Sequence, residues 1–284
     1  FLDRGDELVA VFCPPNNPKS SKPEVLKEAA IARGLTPLQF PSLKGPEAAQ
    51  AMIDSNADIC VMAYVLQFVP QELVKIPKHG TIQYHPSLLP KYRGPSAINW
   101  AIALGEEKTG LTIFRPSDGL DEGEVILQKE VAIGPDDTLG KIYFDHLFPI
   151  GVKALLEAAD LVVAGKHQEI VQDESQANYE GWFDANAARI HWASHISQIY
   201  NLIRACNPAP GAWTKFVGWN LTTMRYFSDT LYGSIGNSIP ITANLACSPC
   251  VSAANHRKTP CQDNVCMQAI TVAQVMDKVS HQLE

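Results

Sequence analysis

The sequence predicts an α/β fold built on a mostly parallel sheet. Short apolar runs of β character alternate with helical segments from residue 7 to residue 165, the pattern of βαβ units. One run, DICVMAY at 58–64, is apolar without alternation, as suits a strand covered on both faces. His85, Asp121 and the segment 65–69 fall where strands end, and parallel sheets open their ligand crevices at the carboxyl ends of strands.

Residues 7–13 (ELVAVFC) predict a buried strand, closed by Pro14, Pro15 and Pro18. Residues 22–33 predict a helix with Ser21 as N-cap, Pro23 in its first turn and Gly34 past its end. A short strand at 36–40 and a helix at 46–55 follow. Beyond the 58–64 strand, residues 71–76 accommodate one or two helical turns, and TIQYH (81–85) is the next strand. PSAINWAIALG (95–105) predicts a helix with Trp100 in its core. LTIFRP (111–116) and EVILQKEVAI (124–133) predict two long strands, and Asp137-Thr138 caps a long helix running to about Gly165. Residues 172–188 are polar and without period, which predicts a linker. Residues 189–207 lead into a helix with Ile196, Ile199, Tyr200 and Ile203 on one stripe, and the alternating aromatics of 211–227 around Gly218 predict a hairpin.

At 284 residues the chain has room for one large domain or two ordinary ones. Its 46% apolar content is globular, no apolar run reaches the ~18–20 residues that span a bilayer, and the first residues carry no signal-peptide pattern. A formal charge of −7 argues against a general polyanion binder. Cys13, Cys60 and Cys206 stand singly in apolar or helical contexts as small buried hydrophobes, and a reducing cytoplasm is the expected location. Cys247, Cys250, Cys261 and Cys266 crowd with His256, but their spacing matches no common zinc ribbon or finger, so no metal is expected. The sequence contains neither a GxGxxG nor a Walker loop.

The chemistry concentrates in residues 79–123. His85 ends one apolar run, and Asp121 sits in a Gly-flanked loop after another. An imidazole near its working pKa stabilises an oxyanion when charged and shuttles a proton, and a nearby carboxylate favours and orients the charged ring. This is what acyl transfer requires. Tyr92 and Arg93, in the Pro- and Gly-rich loop after the histidine, either meet an acceptor or anchor the loop.

The stretches TIQYHPSLLPKYRGPSAINWAI and GLTIFRPSDGLDEGEVILQKE resemble the folate-dependent formyltransferase superfamily, and the likeness runs from about residue 5 to about residue 227. It is strongest toward methionyl-tRNA formyltransferases and the amino-terminal hydrolase domain of 10-formyltetrahydrofolate dehydrogenases. The stretch ARIHWASHISQIYNLIRACNPAPGAWT resembles the start of their OB-like second domain. The resemblance implies a Rossmann-like, mostly parallel sheet followed by a partial OB-like β domain. The corresponding boundaries are a catalytic domain at 1–171, the linker at 172–188, the OB-like part at 189–227 and a tail of unassigned structure at 228–284. Relatives begin one strand earlier, so the first strand is expected to be missing from a shortened chain.

The resemblance also implies that His85 is the catalytic histidine and Asp121 its carboxylate partner. Leu66, Gln67, Phe68 and Val69 would line the folate pocket, and the 117–121 loop would close over the pterin, with Asp118 either capping a turn or pointing into the site. Where the transferases carry Asn two residues before the histidine, this chain has Gln83. Period-two alternation keeps that amide on the histidine's face, on a stem one methylene longer. The implied donor is 10-formyltetrahydrofolate, and the implied acceptor is the amine of initiator methionyl-tRNA. Water, giving a hydrolase, a sugar-nucleotide amine and an inactive folate-binding remnant are the alternatives.

Overall fold

The computed structural model describes residues 1–16, 24–65, 67–216 and 219–222. These form two compact units. The first holds Phe1–Ile98, Lys108–Ala132 and Tyr143–Gly181; the second holds Asn99–Glu107, Ile133–Ile142 and the residues from Trp182 onward.

In the first unit β1 (Val11–Cys13) pairs in parallel with β2 (Pro37–Gln39). A separate four-stranded sheet has the order β3-β4-β5-β6, from β3 (Cys60–Met62), β4 (Thr81–His85), β5 (Lys108–Phe114) and β6 (Val125–Ala132). The α/β class holds, with a qualification of direction. β3 and β4 run parallel, whereas β4–β5 and β5–β6 are antiparallel. A short connection through α4 (Ala97–Ala103) brings the chain back alongside β4 in the opposite sense.

Helix α1 (Val25–Ile31) is capped by the Glu24 side chain accepting from the Lys27 amide, not by Ser21, which with Pro23 lies outside the described residues. Gly34 closes it with φ +74°. Helix α2 (Pro46–Ser55) spans the predicted residues, and its Ala48 and Met52 bury beside Leu73 of α3 (Gln71–Val74), against Phe12 and Cys60 of β1 and β3.

Helix α5 (Leu139–Lys141) is capped by Thr138, widens into a π-turn at Ile142–Leu147 and continues as α6 (Phe148–Val163). The buried stripe of α6 is made of small residues, Gly151, Ala154, Ala158, Ala159 and Val162, so the helix lies close on the sheet. A Cβ at Gly151 would come within 2.9 Å of the Tyr84 ring. Tyr84 and Ile113 are cross-strand partners, so Tyr84, Ile113, Ile82 and Leu111 share the helix-covered face. Ile82, Leu111 and Ile113 are fully buried there, each contributing about 1.5–3 kcal/mol. The opposite face carries Gln83, His85, Thr112 and Phe114.

The second unit packs Phe183, Ala188, Ile190, Ile199, Cys206 and Ala212 together, with Trp100 edge-on to Phe183 at 4.6 Å. Helix α7 (Ile196–Ala205) begins in a capping box formed by His195 and Gln198. Its expected stripe is only partly inward: Ile199 is buried and Ile203 packs on the core, but Ile196 and Tyr200 are exposed. Arg204 takes the inward place, donating to the Gly134 and Asp137 carbonyls. The predicted hairpin is present as β7 (Trp213–Phe216) antiparallel to β8 (Trp219–Thr222). Gly218 and the cysteine-rich tail lie outside the described residues.

Candidate active site

β4 delivers His85 at its last residue, on the face away from α6. The loop 86–95 folds back over that face. Thr112 Oγ1 donates to the Ser87 carbonyl and accepts from the Leu89 amide, while Gln128 donates to the Leu89 carbonyl. This lacing turns the loop so that the Tyr92 carbonyl meets His85 Nε2 at 2.8 Å. Tyr92 sits at φ +58° and is held through its amide by the Asn178 side chain at 2.7 Å. Gly94 is required at φ +103°: a Cβ there would meet the Glu180 carbonyl and the Tyr179 ring, each at 2.7 Å.

Asp121 arrives by a different route from the one expected. Because β5 is antiparallel to β4, its carboxyl end lies opposite Gln83 and away from His85. The two carboxyl ends are therefore not neighbours. The loop 115–124 doubles back over the face and carries Asp121 to the histidine. Its Oδ2 lies 3.4 Å from His85 Nδ1 and accepts from the Gly94 amide at 2.9 Å. Both side chains are 6% exposed. Asp121 itself is held at φ +56°, and a Cβ at Gly123 would fall onto the Arg115 carbonyl.

These contacts determine the chemistry of the ring. A carbonyl only accepts, so Nε2 carries the hydrogen bonded to Tyr92. Nδ1 is then the nitrogen that gains or loses the titrating proton, and it faces the carboxylate. Burial pushes the imidazole below its ordinary pKa, and the Asp121 charge and the Tyr92 carbonyl act in the opposite direction. The pair is thus built to take a proton at one defined atom and to release it again.

Gln83 lies two residues before His85 on the same face, half-buried, and its side-chain amide makes no hydrogen bond among the described residues. Gln67, Phe68, Val69 and Asp118 form no hydrogen bond or ion pair with His85 or Asp121. Val69 packs on the α2–α3 core, Phe68 is exposed with Lys44 Nζ 4.8 Å above its ring, and Asp118 is exposed in the loop 115–124. Leu66 lies outside the described residues. Among the described residues no three His, Cys, Asp or Glu side chains cluster as metal ligands, and no helix is long and apolar enough to cross a membrane.

Sequence reasoning missed the residues that hold this geometry from the far side. Gln172, Glu174 and Asn178 sit in a polar stretch without period, so nothing in one sequence marks them. Of the two roles open to Arg93 from its sequence, the structure favours the anchor, since its side chain turns inward to Gln172 and Glu174.

The chain is 39% identical over 246 residues to the cytosolic 10-formyltetrahydrofolate dehydrogenase of Mus musculus, covering 84% of this chain and 27% of that protein. It therefore spans about a quarter of the length of the dehydrogenases it matches. It is 32% identical over 245 residues to the methionyl-tRNA formyltransferase of Geobacter metallireducens, covering 85% of this chain and 78% of that one. A solved sugar N-formyltransferase from Shewanella shares the fold, with a TM-score of 0.60 at 21% identity over 75% of this chain and 82% of that chain. Residues 5–158 match the family described as formyl transferase, and residues 183–237 match its C-terminal domain. With both matches in sequence order, the chain belongs to the formyl transferase family.

Proposed function

We propose that His85, Asp121 and Gln83 release the formyl group of 10-formyltetrahydrofolate to a nucleophile. One observation carries this reading: a buried imidazole with Nε2 fixed on a backbone carbonyl and Nδ1 facing a carboxylate at 3.4 Å, beside an amide on the same sheet face that makes no hydrogen bond among the described residues.

The nucleophile adds to the formyl carbon, and negative charge develops on the formyl oxygen. The Gln83 amide donates to that oxyanion, and His85, neutral at the start and charged once it has taken up the nucleophile's proton, stabilises it by charge. Nδ1 accepts the nucleophile's proton. The proton then passes to the folate nitrogen as the carbon–nitrogen bond breaks. Asp121 favours the charged ring during that interval. Gln67, Phe68 and Val69 would contact the folate, with Asp118 in the loop that would close over the pterin. The free thiols of Cys13, Cys60 and Cys206 suit a reducing cytoplasm.

Water is the acceptor we favour, giving formate and tetrahydrofolate, because the matched dehydrogenase is the more similar of the two curated relatives described, at 39% against 32%. The amine of methionyl-tRNA is the second reading, favoured by the match over most of the length of a methionyl-tRNA formyltransferase. The test is turnover of 10-formyltetrahydrofolate by the purified chain, with and without charged initiator tRNA. Formate release without tRNA supports hydrolysis, and formyl-methionyl-tRNA appearing only when the tRNA is present supports transfer. His85→Ala and Asp121→Ala are expected to lower turnover at least about a hundredfold. Wild-type rates in either variant refute the mechanism.

A further inference from the structure

Gln172 is 7% exposed, and its side-chain amide uses every hydrogen-bonding position it has. Nε2 donates to the Asp121 carbonyl at 2.8 Å and to the Gly123 carbonyl at 2.7 Å. Oε1 accepts from Arg93 Nη2 at 2.9 Å and from Arg93 Nε at 3.3 Å. Arg93 is itself buried and is gripped at both terminal nitrogens by the Glu174 carboxylate, at 2.6 and 3.0 Å. The arginine offers only donors, so it forces Oε1 to face it and the amide hydrogens to face the carboxylate loop.

We propose that Gln172, oriented by Arg93, is a positioning residue that sets where Asp121 stands relative to His85. Arg93 lies between the two backbone groups that touch the pair: the Tyr92 carbonyl on His85 Nε2 and the Gly94 amide on Asp121 Oδ2. One amide therefore registers the loop holding the histidine against the loop holding the carboxylate. Asp121 needs that restraint, since its φ of +56° is unfavourable for a residue with a Cβ. At 3.4 Å the Nδ1–Oδ2 contact is just beyond hydrogen-bond length, where a small shift of the loop changes the interaction most. The proposal rests on reading His85 and Asp121 as the proton-handling pair.

The variants are Gln172→Met, which keeps length without hydrogen bonds, and Gln172→Glu, which keeps the attraction to Arg93 but removes both donors. Gln176→Ala, in the same segment but bonded among the described residues to Asp173 alone, is the control. Two readouts are compared: kcat and KM for 10-formyltetrahydrofolate, and the NMR titration midpoint of the His85 imidazole. The ring is faced by Asp121 from the loop 115–124, by the Tyr92 carbonyl from the loop 86–95 and by neutral Thr112 from β5. Glu122, Glu174 and Arg93 stand behind Asp121.

Expected in both variants is a kcat lower by about tenfold to a hundredfold, with KM within about twofold. In Gln172→Met the imidazole midpoint moves down by about half a unit or more, because the carboxylate no longer supports the charged ring as closely. An unchanged midpoint and unchanged kcat in folded variants overturn the proposal. A lowered kcat with an unchanged midpoint also overturns it, as that pattern marks a structural role only. Should Gln172→Met fail to fold, Gln172→Asn, which shortens the amide by one methylene, is read by the same two measurements. If the wild type turns over no formyl-folate, the functional reading fails, while the imidazole midpoints still decide the positioning role.

Discussion

His85 has one nitrogen committed to backbone and one facing a charge, and this division makes its behaviour calculable. Burial places its folded-state pKa below the 6.5 of a free imidazole. As pH falls, the unfolded chain therefore takes up this proton before the folded one does. The stability contributed by this group is complete above pH 6.5 and is lost as pH drops from there toward the lower folded value, at a slope of at most about 1.4 kcal/mol per pH unit. Urea midpoints of the wild type should fall over that window more steeply than those of His85→Gln; parallel curves would show that burial does not depress the ring. On the proposed mechanism, turnover that needs a neutral Nδ1 should weaken in the same direction. Gln83 is testable separately, since an amide donor to an oxyanion is worth about a hundredfold to a thousandfold in kcat. Gln83→Leu should lose that factor, and a variant with full kcat removes Gln83 from the chemistry. The residues themselves were legible, because histidine and aspartate carry their function in their side chains. Their means of approach was not, because it depends on strand direction and on a carboxylate at positive φ, neither of which a side-chain pattern encodes.

At the scale of elements, the regular pieces were readable wherever local chemistry acts alone. Helix α2 starts at Pro46 and ends with Asn56 in the left-handed conformation, both visible in the sequence. β4 was equally clear. What escaped was the direction of β5, since a run of apolar residues reads alike in either sense. The stripe of α7 also escaped, where buried Arg204 finds two carbonyls that only the folded chain supplies. The loop 86–95 depends on Gly94: Gly94→Ala should destabilise by about 1–3 kcal/mol and reduce activity together with stability. Circular dichroism melts beside rate measurements would check this, and unchanged values for both would refute it. Leu111 is fully buried in β5, so Leu111→Ala should cost about 2–5 kcal/mol in urea denaturation. A smaller loss would mean that the face under α6 closes around the gap.

Taken whole, the molecule joins an acidic chain of net charge −7 to a chemistry that centres on one buried ring. That balance argues against a polyanion drawn in by broad positive potential. The strand ladders add a consequence of their own. β1 and β2 meet over only three residue pairs, whereas β5 and β6 are paired along seven. A short two-stranded ribbon is marginal alone, while a four-stranded sheet backed by a helix is not. In heavy water the amides of Val11–Cys13 and of Leu38 and Gln39 should therefore deuterate well before those of Ile82–His85 and Thr112–Phe114. The imidazole and the Gln83 amide are thus rooted in the sturdier of these two sheets, so breathing of the frailer ribbon should leave their geometry undisturbed.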